Sequence, residues 1–480
     1  MNARLQRCVG SGLAGGLGTL LLVVLLGNTG TQSARAANLD VCPTCTYHTI
    51  QEAINAANDD DAIRVARGTY TGTMVSSGFT ATVVITKNIT LLGGYNPADF
   101  NDRQPDAYTT TIDADSRTNQ TSLAFMGGTT ATVDGFRITG ATDCWVGGAA
   151  IFDASPTLRH NWVVGNHATW SGGGIHVRGS STPTIESNVI AYNTANDFGG
   201  GIFVDCCANV VISGNQVYSN TAGDHGGGLN LWFSTGMIYS NTIQNNMATD
   251  VGGGIVLSVS PLVIRANTIV SNSAAHNAAG LWIDQSSAVV DSNLVAFNSG
   301  NGIRIWLNTV PLTLTNNVIV HNAAEGIGAF DVVTDVRLIN NTIAYNGGEG
   351  VLVGLDWGDG LTGTVSLIRN NIIVSNTLAG VWVVPSLGSV GLADYNDLWA
   401  NPRNLTLGPG NISANPQFVN PTAGDFRIRF GSPVVNAGTN VGAPAYDRDG
   451  VTRPQGSRVD MGAYEVIVYS TYLPIVLRNR

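Results

Sequence analysis

Six aromatic side chains recur at equivalent places along the chain and could bind sugar rings. Each lies one or three residues after the first apolar residue of a short segment that alternates apolar and polar residues, so it should point outward from a strand. An exposed aromatic ring offers a large apolar face at a small entropic cost, which suits stacking on a sugar ring. A loop or the C-terminal segment covering the rings would explain them equally well. The predicted glycan-binding residues of this stripe are Phe203, Trp232, Trp282, Trp306, Phe330 and Trp382.

A second group of residues could hold a metal ion. Asp197, Asp224 and Asp250 each lie five residues before the first apolar residue of a strand, and His276 takes this place in the next repeat. If the repeats stack, neighbouring carboxylates about 5 Å apart repel by roughly 1 kcal/mol. The side chains must therefore splay into solvent or share a cation, and calcium suits oxygen ligands from flexible turns. His225 should lie beside this file as a group that titrates near neutral pH, and no other cofactor is indicated.

Charged residues on the same outward face could support catalysis. Arg178 and Asp205 fall at the same outward position of successive repeats, and Arg304 lies diagonal to Asp284. One interpretation is an arginine base beside calcium-binding carboxylates, and the other is an ordinary exposed ion pair contributing roughly 0 to 1 kcal/mol. Lys87 is the only lysine in the chain, and a solvated edge residue explains it better than a catalytic base does. A polysaccharide lyase or hydrolase therefore stays open as an alternative.

A repeat of about 26 residues must position all of these side chains. The pattern Asn-x-apolar-x-x-Asn occurs ten times, from Asn161 and Asn166 to Asn396 and Asn401, and Gly-Gly-Gly turns precede four of the strand segments. Such a period is typical of a solenoid. Leucine-rich repeats are excluded because the chain lacks leucine at several fixed sites and lacks a helical return. The sequence therefore predicts an all-β, single-stranded parallel β-helix, in which one repeat forms one coil.

The asparagines of this repeat are predicted to be structural. Asparagine suits the left-handed backbone geometry of a turn corner. Amide side chains stacked about 4.8 Å apart can also bond to the next coil and form ladders. We therefore do not assign the two asparagine files as ligands.

The start of the chain is typical of an exported protein. Arg4 and Arg7, the apolar run 20–26 and Ala34-Arg35-Ala36 match a cleaved secretory signal over residues 1–36. No later stretch reaches about 18 apolar residues, so we expect no transmembrane span in the mature chain. The formal net charge is −10 for the whole chain and about −13 without the signal, which disfavours nucleic acid as a partner. We expect a monomer that is secreted or lies on the bacterial cell surface.

The remaining chain divides into a cap, a repeat region and a C-terminal region. Residues 37–60 should form an N-terminal cap, because Thr49 and Glu52 make a capping box before a helix that can cover the open end of the core. Residues 61–400 should form the β-helix, and residues 401–480 a C-terminal cap or anchor-like region. Cys42 and Cys45 have zinc-knuckle spacing without a second pair, so a small disulfide loop is favoured. The other cysteine pairings stay open.

Several segments resemble known families. Residues 47–54, Gly68-Thr69-Tyr70 and residues 89–95 resemble the pectate-lyase-like right-handed parallel β-helix superfamily of bacterial secreted proteins, and the Gly-Gly-Gly-Ile turns are similar to chlamydial polymorphic outer-membrane repeats. The first resemblance implies a right-handed helix, and members include polysaccharide lyases and hydrolases. Asn415-Pro416-Gln417-Phe418 and residues 460–465 resemble the choice-of-anchor Q region, which implies surface association.

Taken with the stripe of rings, these features predict a secreted or cell-surface right-handed β-helix repeat protein. It should contact polysaccharide or another envelope component through one solvent-facing ladder. A polysaccharide lyase or glycoside hydrolase acting on acidic glycans is the first alternative, and a structural spacer or adhesin is the second. Only the enzyme should release reducing ends or unsaturated products.

Overall fold

The computed structural model of the protein describes residues 36–467, except residues 77, 277, 334, 355–362 and 406–407. Residues 1–35 of the predicted signal segment lie outside the described residues. The described chain winds as a right-handed parallel β-helix, as predicted, and each coil passes through three long sheets in the order A, B and C.

Parallel strands build the three sheets, apart from short antiparallel additions near the N-terminus. Sheet A consists of Asn38–Val41, Ala62–Ala66, Thr90–Asn96, Thr132–Asp134, Thr157–Arg159, Thr184–Glu186, Val210–Ser213, Gly236–Tyr239, Leu262–Arg265, Val289–Asp291, Leu312–Thr315, Val336–Ile339, Gly363–Arg369 and Gly388–Asp394, with Asp99–Arg103 at its side. Sheet B consists of Gly68–Tyr70, Thr110–Asp113, Phe136–Thr139, Trp162–Val164, Val189–Ala191, Gln216–Tyr218, Thr242–Gln244, Thr268–Val270, Leu294–Ala296, Val318–Val320, Thr342–Ala344 and Ile372–Val374. Sheet C consists of Met74–Ser76, Phe79–Ile85, Thr121–Phe125, Ala149–Phe152, Ile175–Arg178, Ile202–Asp205, Leu229–Trp232, Ile255–Ser258, Leu281–Asp284, Ile303–Trp306, Ile327–Phe330, Glu349–Gly354 and Ala379–Val383.

Smaller elements complete the described fold. Two-residue strands between sheets B and C form a short ladder at His167–Ala168, Thr194–Ala195, Thr221–Ala222, Met247–Ala248 and Ser273–Ala274. The C-terminal region contributes an antiparallel pair, Phe418–Asn420 and Asp425–Ile428, joined by the short 3-10 helix Pro421–Ala423.

One apolar core runs through the inside of the coils. The inward residues of the strands are mostly Ile, Val and Leu, and the files that contain Leu231 in sheet C and Ile238 in sheet A are buried, except that Val383 at the end of the first file is partly exposed. Because side chains alternate across a strand, each coil that buries these residues must present the intervening ones outward. The periodic pattern therefore fixes which side chains reach the surface.

Two asparagine ladders hold the corners on either side of sheet B, as predicted. The buried Asn241 side chain donates to the Ile212 carbonyl at 2.9 Å and to Oδ1 of Asn267 at 3.0 Å, and its own Oδ1 accepts from the Asn215 amide at 2.9 Å. The predicted left-handed conformation belongs, however, to the residue before each ladder asparagine, such as Ser240 with φ of 55°. That residue turns the chain, and the asparagine that follows points inward to satisfy buried backbone groups.

The N-terminal cap forms as the sequence indicates. Helix Ile50–Ala56 starts at the Thr49 capping box, with Glu52 completing it, and buries Ile50, Ala53 and Ile54. The Lys87 ammonium donates to the carbonyls of Asn55 and Ala57, so it serves the C-terminal end of this helix. Cys42 and Cys45 form the predicted disulfide.

The C-terminal region both closes the end of the core and returns along its side. Leu398 and Leu405 contact the core, whereas Phe426 and Met461 pack on the outer face of sheet B, against residues such as Val318. The returning segment therefore covers sheet B and does not account for the aromatic stripe of sheet C.

Three asparagine doublets attach this returning segment. Asn316, Asn340 and Asn370 occupy the left-handed corner position immediately before ladder asparagines. The Asn340 amide donates to the carbonyls of Asp460 at 2.9 Å and Gly462 at 3.2 Å, while Asn316 donates to Tyr446 and Asn370 to Thr439. Outward amides at this corner thus provide the hydrogen bonds for docking.

We expect Asn340→Ser to loosen the C-terminal region while leaving the coils intact. Serine occupies the equivalent corner at Ser240, so the backbone conformation is compatible, but the two hydrogen bonds to the returning segment are lost. A loss of about 1.4 kcal/mol would make local opening roughly tenfold more frequent. Hydrogen exchange and limited proteolysis of residues 430–465 measure this, with Ser240→Ala as the control. Unchanged protection in Asn340→Ser would contradict the assignment.

Candidate functional site

The outer face of sheet C carries the predicted binding residues in two parallel columns. The backbone register pairs Trp282 with Arg304 in the first column and Asp284 with Trp306 in the second. The first column also contains Phe203 and Trp382. The second column contains Arg178, Asp205, Trp232 and Phe330. Arg304 is therefore diagonal to Asp284, as the spacing predicts.

The tryptophans of this face are partly exposed, but its two phenylalanines are not. Trp232, Trp282, Trp306 and Trp382 keep part of their surface open. Phe203 is fully buried and Phe330 is only 7% exposed, so the expectation that they offer stacking surfaces is wrong. The remaining exposed stripe consists of tryptophans.

Phe203 is covered by a second layer of side chains that sequence reasoning missed. Phe198, in the turn before the strand, has its ring centroid 6.0 Å from Phe203 and 4.4 Å from Trp232. His225 and Val251 hold the same turn position in the next two coils, because Gly199 donates to the His225 carbonyl and Gly226 to that of Val251. The side chains of Phe198, His225 and Val251 therefore form a row beside the two columns of sheet C. A large side chain immediately before three of the four Gly-Gly-Gly turns is the signal that could have revealed this layer.

A tryptophan pair that the sequence did not single out extends the aromatic surface. Trp145 is 42% exposed, and its ring is parallel to that of Trp170 with centroids 5.0 Å apart. His176 lies beneath them and also contacts Phe152 and Phe203. Burial lowers the pKa of His176 to about 3, with a smaller lowering by Arg178 and a slight opposing effect of the Ser171 backbone. His176 is therefore neutral near pH 7 and unsuited to proton transfer there.

The four predicted charged residues of this face have different surroundings. Arg178 lies 3.5 Å from Asp205 (Nε to Oδ2), which is the ordinary partly exposed ion pair considered above. Arg304 is 5% exposed, with its guanidinium carbon 4.2 Å from the Phe330 centroid and 5.5 Å from that of Trp282. Arg304 is thus held between rings, which accounts for the burial of Phe330.

Asp284 is a carboxyl group of this face whose protonation is perturbed by burial. Its side chain is 8% exposed, and Oδ1 has no hydrogen-bond partner among the described residues. Burial raises the pKa of Asp284 from 3.8 to about 6, against smaller lowering effects of Gln285, Ser258 and the charge of His225. A carboxyl group with this pKa can exchange a proton near neutral pH.

The predicted carboxylate file forms at the edge of the same face. The Asp224 amide donates to the Asp197 carbonyl at 2.9 Å, Asp250 to Asp224 at 3.1 Å, and His276 to Asp250 at 2.9 Å. Burial raises the pKa of Asp224, with a lowering effect of His225 and raising effects of Asp250 and Asp197.

Histidines lie between these carboxylates. His225 Nε2 is 2.8 Å from Asp250 Oδ2 and 3.2 Å from Asp224 Oδ1, and His276 Nδ1 is 2.9 Å from Asp250 Oδ1. Asp224, His225 and Asp250 each bring one ligand atom within 4.8 Å of the others, so this group could hold a metal ion. Asp197 is stacked below the group and is not part of it. Splaying into solvent and sharing a cation are two ways to reduce the repulsion between these carboxylates. Contacts with imidazole rings are a third way.

These features define a solenoid protein with one aromatic, acid-bearing face. The family model of the right handed beta helix region matches residues 104–241, 157–319 and 227–393, so the chain belongs to the right-handed β-helix family. No curated protein matches the chain. Among the described residues, no helix has the length and apolar character needed to cross a membrane.

Several solved structures are similar to this chain at low sequence identity. One is pectate lyase Pel9A, with 16% identity, 90% of this chain and 97% of that chain covered, and a TM-score of 0.44. Another is the periplasmic alginate epimerase AlgG, with 15% identity and a TM-score of 0.42. The match covers 72% of this chain and 86% of that chain. The A-module of mannuronan C-5 epimerase AlgE6 from Azotobacter vinelandii has 16% identity, coverage of 77% and 95%, and a TM-score of 0.40.

We expect the raised pKa of Asp284 to appear as a pH dependence of stability. The folded state holds the proton more tightly than the unfolded state, so the stability contribution is complete below about pH 4 and falls until the pH passes about 6. Asp284→Asn removes this titration and keeps the side-chain shape. Between pH 4 and pH 7, the wild type should lose about 2 kcal/mol more unfolding free energy than the variant.

Denaturant unfolding at a series of pH values measures this difference. Asp60→Asn, at an exposed left-handed position that asparagine tolerates, is the control and should follow the wild type. Parallel pH curves for the wild type and Asp284→Asn would show that Asp284 is not perturbed.

Proposed function

We propose that this protein binds polysaccharide, or another sugar-rich envelope component, on the outer face of sheet C. The observation that carries the proposal is the grouping of partly exposed Trp232, Trp282 and Trp306 around Asp284 on one sheet. Aromatic rings stack on the apolar faces of sugars, and hydroxyl groups need hydrogen-bonding partners beside them.

The spacing of the rings favours an extended ligand. Trp232 and Trp306 lie in one column three coils apart, which is about 14 Å at the usual separation of paired strands. Trp382 and the Trp145–Trp170 pair lie further along the face in opposite directions. Since Trp232, Trp282, Trp306 and Trp382 lie on strands of one continuous sheet, these rings are ordered before a ligand binds, and the entropic cost of binding is small. A secreted or cell-surface location is part of this proposal.

A second candidate function is cleavage of the bound polysaccharide, and Asp284 favours it. A carboxyl group with a pKa of about 6 can protonate the oxygen that leaves when a glycosidic bond breaks. Hydrolysis also needs a base for the attacking water, and the carboxylates of Asp224 and Asp250 at the edge of this face could accept that proton. Hydrolysis would release reducing ends, and a lyase would release unsaturated products.

Calcium at the edge of this face is also proposed. The carboxylates of Asp224 and Asp250 supply oxygen ligands, with Asp197 and the imidazole of His225 beside them. A cation there would reduce the negative charge of the file and link the two successive coils that carry Asp224 and Asp250. The alternative is a file neutralised by His225 and His276 alone.

Removal of the three central tryptophans should abolish most glycan retention. We expect Trp232→Ala, Trp282→Ala and Trp306→Ala together to weaken binding at least about tenfold, because each removes a stacking surface. The measurement is retention on immobilised polygalacturonate, alginate, xylan and a neutral β-glucan, followed by assay of reducing ends and unsaturated products.

The matched control replaces three exposed aromatic residues on other surfaces, Tyr192, Tyr239 and Phe297, by alanine. This triple variant should bind as the wild type does. Equal retention by both triple variants, or no retention of any polysaccharide by the wild type, would favour a structural spacer or adhesin. Product release that Asp284→Asn abolishes would favour the enzyme.

Calcium should raise the melting temperature if the carboxylate file holds it. At a concentration 100 times the dissociation constant, a ligand that binds only the folded state stabilises by about 2.7 kcal/mol. Thermal melts with calcium and with chelator measure this for the wild type, for Asp224→Asn and for the exposed control Asp143→Asn. Calcium should stabilise the wild type and Asp143→Asn and not Asp224→Asn. Equal melting temperatures with calcium and with chelator would contradict the calcium site. His225 and His276 would then be the groups that offset the charge of the carboxylates.

A further inference from the structure

A cavity lies where the C-terminal region meets the side of the last coils, away from sheet C. Its volume is about 370 Å³, which is at the lower end of the range for small-molecule sites. The Asn415-Pro416-Gln417-Phe418 segment contributes three of its lining residues. This motif, which plays no part in the sheet C face, therefore lies at the cavity. The lining residues are Tyr345, Trp399, Asn415, Gln417, Phe418, Pro421 and Arg429.

Aromatic rings form the apolar part of this cavity. The Tyr345 ring is stacked on His321 with centroids 5.3 Å apart, and the C-terminal Phe426 lies 6.2 Å from it. Trp399 is partly exposed and packs against the same apolar cluster as Phe418. These contacts hold the rings in place and leave surface open to the cavity. Such surfaces suit the apolar face of a flat, ring-shaped ligand.

One cation and two amides form the polar part. Arg429 donates from Nε to the Phe418 carbonyl at 3.4 Å and from Nη2 to the Val419 carbonyl at 2.7 Å, which orients the guanidinium. Within the described part of the chain, Nη1 makes no hydrogen bond and Arg429 has no ion pair. Asn415 accepts the Gln417 amide on its Oδ1, which leaves its own NH2 group to donate, and the Gln417 side chain is exposed.

The charge of the cavity contrasts with that of the chain. The formal net charge of the protein is −10, yet the residues that line the cavity include Arg429 and no carboxylate. The nearby Arg427 is already paired with Asp425 at 2.7 Å. An anionic ligand would therefore meet an oriented, unneutralised guanidinium here, whereas the acidic surface elsewhere would repel it.

We propose that this cavity binds one sugar ring that carries an anionic group, either a carboxylate or a sulfate. The ring stacks on Trp399 and Tyr345, the amides of Asn415 and Gln417 bond to its hydroxyl groups, and Arg429 binds the anion. The volume is sufficient for a single sugar ring. This second subsite is separate from the sheet C face and does not depend on the function proposed for it.

Calorimetric titration with glucuronate, glucose 6-sulfate and glucose tests the proposal on the intact protein. We expect saturable binding of at least one anionic sugar and at least about tenfold weaker binding of glucose. Binding of glucuronate alone would assign a carboxylate ligand, and binding of the sulfate alone would assign a sulfated one. No saturable binding of either anion at millimolar concentration, or equal binding of glucose, would overturn the proposal.

Two exposed arginines provide a matched pair of variants. Arg429→Gln should weaken binding of the anionic sugar at least about tenfold, and Arg427→Gln should leave it unchanged. If Arg429→Gln lowers the melting temperature, the exposed variant Gln417→Ala provides a second test and should bind several-fold more weakly. Wild-type affinity in a folded Arg429→Gln or Gln417→Ala variant would contradict the site. The triple variant at Trp232, Trp282 and Trp306 should bind normally, which separates this result from that for the sheet C face.

Discussion

The buried corners of the coil are the constraint on which the rest of the structure depends. At each corner the backbone turns with amide and carbonyl groups facing a dry interior, where an unmade hydrogen bond costs about 1 to 3 kcal/mol. Ladder residues such as Asn241 supply these hydrogen bonds. The Asn241 side chain bonds to Ile212 and Asn215 of the preceding coil and to Asn267 of the following coil. Adjacent ladder positions differ by 24 to 30 residues, yet the two corners of a coil stay five residues apart. Length changes are therefore confined to the other segments, and the sheet registers persist.

The same corners also determine how the C-terminal region docks. From Ser187 to Ser292 the left-handed residue at the corner before sheet B is small, whereas it is asparagine at positions 316, 340 and 370. An asparagine there tolerates the backbone conformation and directs an amide outward. The returning segment uses these amides and the apolar outer face of sheet B together. The returning segment therefore docks on sheet B and leaves the outer face of sheet C uncovered by the C-terminal region.

The repeat made the fold and the columns of sheet C predictable, because a strand with a buried side has only one register that keeps its apolar residues inside. It did not predict which outward residues remain exposed. Phe203 has the outward position expected of it, but Phe198 from the turn and His176 from the neighbouring strand cover it. Burial of an outward residue depends on side chains outside its own strand, and a period-two pattern contains no information on those. The asparagine doublets are visible in the sequence, but their docking role depends on the position of a segment 69 to 130 residues away.

The aromatic face and the perturbed acid have one physical cause. Asp284 follows Ser258 and precedes Trp306 in its column, with Trp282 on the same strand, so little water reaches its carboxyl group. Burial is the main reason for its raised pKa, and the charge of His225 opposes it only in part. A sugar stacked on these rings would remove more of the remaining water and favour the protonated form further. By linkage, the protonated protein would then bind the sugar more tightly than the ionised protein. Occupation of the face and protonation of Asp284 are therefore coupled through the rings that surround it.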